Sequence, residues 1–118
     1  MDENIGGIGP VKVETGLRFV PPTATFITGS RRITDEPAVM FGLIFTPAAT
    51  GNTLTIYEAL FADANQIRFQ GTALQNTTWD WQFPIGIVMR NGIYAAFSAA
   101  NCTATIIWSP LAYYEKYR

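Results

Sequence analysis

The chain has 118 residues and a formal net charge of −1, with 14% of its residues charged and 48% hydrophobic, against roughly 25% charged in ordinary soluble domains. This length predicts one domain with its own core, and the charge balance offers no basic field for nucleic acid. Histidine is absent, which excludes Ser-His-Asp and Cys-His catalysis and the commonest metal ligand. The single cysteine, Cys102, can form no internal disulfide.

Residues 1–10, MDENIGGIGP, combine three glycines and a proline without periodicity and predict an arm. They lack the basic-then-apolar pattern of a secretory signal, and no apolar run nears the roughly 18 residues of a membrane helix, so cytoplasmic synthesis and no membrane association are expected. Val11 to Val20 alternates around a break at Gly16, a strand with a bend, and Pro21-Pro22 ends it. Thr23 to Thr28 is a second β-prone run. It is followed by Gly29-Ser30 and by Arg31 and Arg32, a basic pair that reads as a solvated loop flank or as a grip on an acidic partner.

Ala38 to Thr46, AVMFGLIFT, is apolar on both alternating sets and predicts a strand buried on both faces. Thr53 to Phe61 reads as a strand after a loop of hairpin size, with a helix over Ile56 to Ala64 as the competing reading. In Gln66 to Gln70, Ile67 and Phe69 are expected inward and Arg68 outward, with Gly71 to Asn76 as a connection.

From Thr77 to Ser98 lies the stretch expected at the centre of the core. Trp79, Trp81 and Phe83 share one strand face, and Asn91-Gly92 predicts a type I′ hairpin turn between the IVMR strand and Ile93 to Ser98. After a turn at Ala99 to Asn101, Cys102 to Trp108 is the last core strand, and the tail contains Tyr113, Tyr114 and Tyr117.

The expected organisation is therefore an arm (1–10), a β domain (11–109) and an aromatic tail (110–118). Seven to nine short strands suit an all-β sandwich, a jelly roll or a small barrel; the jelly-roll type of antiparallel sandwich is favoured. Between Ala38 and Ser109 only Glu58, Asp63, Arg68, Asp80 and Arg90 carry charge. Either Thr, Asn, Gln and Ser wet this surface, or other subunits cover it, and the second reading is preferred.

Chemistry without histidine would rest on carboxylates, for which Glu58 and Asp80 are the candidates; partnership with Arg68 or Arg90 is the competing fate, and no catalytic function is expected. Trp79, Trp81, Tyr94, Trp108 and Tyr113 could stack on a sugar if exposed, but the spacing of Trp79 and Trp81 favours core positions. No metal or other cofactor and no small-molecule substrate is expected.

The Gly-rich start, the charge-poor Thr/Ala/Asn-rich domain, the segment NGIYAAFSAANCTATIIW and the aromatic tail together resemble the small β-sandwich virion proteins of tailed bacteriophages. The match spans Ile87 to Trp108, about a fifth of the chain. The resemblance implies a capsid decoration or cement protein, made in the host cytoplasm and located in the virion. It would bind the major capsid protein and itself, as a trimer or dimer. A collar, tail or fibre-attachment subunit, or a carbohydrate-binding module, is the alternative. Partner contacts are expected from Ile5 and Ile8 in the arm, from Arg31 and Arg32, and from Tyr113, Tyr114 and Tyr117, since aromatics and arginine suit interface hot spots.

Overall fold

A computed structural model describes residues 22–75 and 77–112. Eight strands occur among them: β1 (Thr23–Ile27), β2 (Arg31–Thr34), β3 (Ala38–Thr46), β4 (Thr53–Tyr57), β5 (Ile67–Thr72), β6 (Trp79–Met89), β7 (Ile93–Phe97) and β8 (Thr103–Pro110). Pairing is nested and antiparallel: β1 with β8, β2 with β7, β3 with β6 and β4 with β5. Two more pairings, β3 with β8 and β4 with β7, gather the strands into the sheets β1-β8-β3-β6 and β2-β7-β4-β5. The result is two four-stranded antiparallel sheets, the all-β antiparallel sandwich expected.

The core lies between the sheets. Met40, Leu43 and Phe45 of β3 and Ala104, Ile106 and Trp108 of β8 meet Leu54 and Ile56 of β4 and Ile93 and Ala95 of β7, all buried. β3 is an interior strand of its sheet, between β6 and β8; its inward set is buried, whereas Phe41 and Ile44 are half-buried, so the burial on both faces that its two apolar sets predict is incomplete. Cys102, immediately before β8, is buried and donates its thiol to Asn52 Oδ1 at 3.4 Å.

Several expectations are corrected. The aromatic stretch is not the centre of the core: among the described strands β6 is at the edge of its sheet, and Trp79, Trp81 and Phe83 are half-buried, packing on the core from its rim. There they close one open seam of the sandwich, with Trp81 at 5.1 Å and Phe83 at 5.5 Å from the Phe69 ring across the gap. Spacing of two identifies a face but not a strand's position in its sheet.

Asn91-Gly92 does not close a hairpin. β6 and β7 belong to different sheets, and only Gly92 has positive φ (+98°), whereas a type I′ turn needs both residues there. The turn is an arch over the end of the sandwich, packed so closely that a methyl on Gly92 would lie 2.8 Å from the Thr34 carbonyl oxygen.

Strand limits and facing also shift. Arg31 and Arg32 are part of β2 instead of a loop flank. β4 stops at Tyr57, short of Phe61, and the expected connection Gly71 to Asn76 gives its first two residues to β5. Ile67 is exposed, not inward, because a register shift at Ile56/Tyr57 places it opposite the outward Tyr57. β8 runs through Pro110, and Leu111 behind it is buried, its N–H donating to the Pro37 carbonyl at 2.9 Å. The expected strand over Val11 to Val20, the arm over residues 1–10 and the tyrosine tail fall outside the described residues.

Candidate functional site

The register gives the sandwich two distinct ends. Thr23 lies opposite Trp108, and Ala38 lies between Pro110 and Met89. In the other sheet, Thr34 pairs with Ile93, and Tyr57 lies between Tyr94 and Ile67. One end therefore gathers the turn 35–37, the loop 58–66 and the arch 90–92. The chain enters at Pro22 and leaves at Ala112 on this same end, because β1 and β8 are antiparallel neighbours. The opposite end gathers the loops 28–30, 47–52, 73–78 and 98–102.

Charge is divided sharply between these ends. Residues 22–112 hold nine charged side chains: Arg31, Arg32, Asp35, Glu36, Glu58, Asp63, Arg68, Asp80 and Arg90. All but Arg31 and Asp80 belong to the end where the chain enters and leaves. The four loops of the opposite end have none; their residues are Thr, Ser, Asn, Gln, Gly, Ala, Pro, Leu and Cys.

At the charged end, Glu58 is a clamp. One carboxylate oxygen pairs with Arg68 Nη1, and the other accepts the Arg90 backbone N–H at 2.8 Å. Arg68 Nη1 also donates to the Val88 carbonyl at 3.3 Å, so the three groups join β5 to the neighbouring edge β6. Arg32 Nε donates to the Leu60 carbonyl at 3.2 Å and holds the 58–66 loop, so part of this expected partner anchor is used within the fold. A shallow depression of about 460 Å³ opens there, lined by Asp35, Glu58, Asp63, Gln66 and Arg90 among others. Among the described residues no cluster of His, Cys, Asp and Glu is arranged to hold a metal ion.

The two candidate acids do not cooperate. Asp80 lies opposite Ile44 on the outward face of β6, whereas Glu58 contacts Arg90, just past the Ala38 level. Six residues of β3 separate those levels, about 20 Å at roughly 3.3 Å each. Carboxylates flanking one glycosidic bond stand about 5–9.5 Å apart. Stacking platforms fare similarly. Trp108 is buried with its indole N–H donating to Thr25 Oγ1 at 3.0 Å, and Trp81 stacks on Phe45 at 6.3 Å. Tyr94 faces outward from the second sheet, edge-on to Tyr57 at 6.2 Å.

The uncharged end is built without mobile ionic groups. Gly51 donates to the Ala73 carbonyl (2.8 Å) and Ala73 to that of Asn52 (2.9 Å). The Asn52 side chain accepts from Ala49 N–H at 2.8 Å, and the Thr46 and Thr78 hydroxyls bond at 2.9 Å. Ser98 Oγ and Ser30 Oγ accept the N–H groups of Thr53 and Phe97. These hydrogen bonds tie the loops of this end to one another and to the strands they join.

The outward face of β1-β8-β3-β6 continues this character. Reading across the register, its rows are Phe26–Thr105–Ile44–Asp80 and Ala24–Ile107–Gly42–Gln82. Asp80 is their sole charge. Phe26 is 62% exposed, and Ile85, in the four-residue bulge of β6 beside this face, is 89% exposed. The bulge leans on the same face, since a methyl on Gly86 would lie 2.5 Å from Val39 Cγ1.

Of the residues expected to bind partners, only Arg31 and Arg32 are described, and both are exposed on the short edge strand β2. Ile5, Ile8, Tyr113, Tyr114 and Tyr117 lie outside the described residues. Phe26 and Ile85 were not among the expected contacts; the outward phase of Phe26 beside buried Ile27 is the signal that marks it. No protein-family model matches the chain, and no curated protein is similar to it in sequence.

Proposed function

We propose that the protein is a non-catalytic structural subunit of a larger particle, a virion decoration or cement protein of the kind that its segment from Ile87 to Trp108 and its charge-poor domain resemble. The observation that carries this reading is the segregation of charge: an end whose loops hold no charged residue and a sheet face whose outward rows hold only Asp80 stand apart from a charged end, where the described chain enters at Pro22 and leaves at Ala112. Surfaces so poor in charge suit burial against neighbouring subunits, because Asp80 is the one charge that would have to be desolvated on the described face. In this reading Ile5 and Ile8 on one side of the domain's sequence and Tyr113, Tyr114 and Tyr117 on the other would contact adjacent subunits. Its partners in this reading are further copies and the shell protein, and its work is mass action: binding only the assembled form shifts the equilibrium towards it.

The test is the mass of the full chain by light scattering coupled to size exclusion, for the intact protein and for a version limited to residues 22–112. A discrete oligomer that loses mass or affinity on trimming, with the melting transition retained, supports the reading. A monomer at every concentration overturns it and favours a ligand-binding module.

A further inference from the structure

We infer that the outward face of the β1-β8-β3-β6 sheet is a self-association surface, on which a second copy of this chain docks with Phe26 and Ile85 as its anchors. This rests on the assembly reading and names the surface that the reading leaves open. The face is four strands wide, about 19 Å at roughly 4.8 Å per strand, and about 26 Å along eight residues of β3 and β8. Its footprint is therefore near 500 Å², and two copies face to face bury on the order of 1,000 Å² in total, the threshold for a specific contact and below the standard size.

Charge selects the occupant. With Asp80 as its single charged side chain, the face offers no complementary field to an acidic or basic partner, and binding must come from shape and apolar contact. Phe26 stands on the β1 edge and Ile85 beside the β6 edge, on opposite sides of the low row Ala24, Ile107 and Gly42. A two-fold contact uses such a pair twice, each Phe26 against the partner's Ile85, so one patch satisfies both protomers. Both anchors are also cheap to alter: Phe26 lies on an edge strand and Ile85 on a bulge, and both are absent from the buried core.

The experiment measures mass by light scattering across rising concentration, with thermal melting, for the full chain, Phe26→Glu, Ile85→Glu and Ile85→Lys. The intact chain should form a dimer, or a larger species built on one. Each single variant should keep its melting temperature and weaken association by at least about 30-fold, as hot-spot residues do. Mixing Phe26→Glu with Ile85→Lys should restore association, a rescue that a merely structural defect would not show. If the intact chain is oligomeric and both glutamate variants retain its mass, the face is not the interface, while the assembly reading stands. If the intact chain is monomeric throughout, both fall.

Discussion

Removal of the Glu58 side chain should detach one edge of the sandwich from the other at the charged end. In Glu58→Ala the Arg90 N–H loses its acceptor, and Arg68 loses its ionic partner. The first loss costs about 1 kcal/mol, since the Arg90 backbone has partial access to replacement water. The second is discounted because the Arg68 side chain is 40% exposed; a partly screened pair of this kind contributes about 0.5–1 kcal/mol. The sum is about 2 kcal/mol, which at about 4 °C per kcal/mol for a domain of this size lowers the melting temperature by about 8 °C. Glu58→Gln keeps an oxygen for the Arg90 N–H and loses only the charge, so its drop should be about 2–4 °C. Scanning calorimetry at two salt concentrations separates the contributions, because salt should shrink only the difference between the intact chain and Glu58→Gln. Equal melting of the alanine and glutamine variants, or an alanine variant within about 1 °C of the intact chain, would refute the clamp.

Gly86→Ala combines positive φ (+77°) with a 2.5 Å approach to Val39 and should cost about 2–4 kcal/mol in urea unfolding; adding Val39→Ala should recover part of that loss, and no recovery would mean that the clash is not its source. Trp108→Phe and Thr25→Val each break the indole–hydroxyl bond and should each cost about 1 kcal/mol, with a double-variant cycle showing that the losses are not additive. Cys102, fully buried, should resist a thiol reagent in the native state and react at the rate of unfolding. Ending the chain at residue 110 instead of 112 should lower stability by about 2 kcal/mol through loss of buried Leu111 and its bond to Pro37, measurable by urea titration; equal stability would put the edge of the fold at β8.

The sequence patterns that proved reliable are those in which one residue's environment follows from its neighbours' periodicity. AVMFGLIFT, apolar on both sets, is the flanked strand β3, and CTATIIW is β8 with Ala104, Ile106 and Trp108 inward as spaced. The misread positions depend on long-range pairing. Asn91-Gly92 has the composition of a hairpin turn, yet local chemistry does not say whether the next strand joins the same sheet or the facing one. Trp79, Trp81 and Phe83 make a strongly apolar row that fits a central strand and a seam-closing edge strand equally well. Ile67 is turned outward by a register shift that no spacing within β5 contains. The scarcity of charge from Ala38 to Ser109 was legible as a number. Its meaning as an uncharged end and a face with one charge, Asp80, required the antiparallel register that brings the four loops together.

The nested pairing also governs how the chain reaches this structure. Contacts across β4 and β5 span 19 positions (Thr53 to Thr72), across β3 and β6 32 (Thr46 to Thr78), at the β2–β7 level 67 (Ser30 to Phe97), and across β1 and β8 83 (Thr25 to Trp108). Each inner pair shortens the loop that the next must close, so a zipper starting at the β4–β5 hairpin is the low-entropy route, and folding should be slow for the chain's size. During synthesis β1 leaves the ribosome before any other described strand and waits for β8, the last, to acquire its neighbour. Through that interval the edge bearing Phe26 and Ile27 is open to a strand from another nascent copy, and strand exchange between chains becomes the characteristic hazard of this topology.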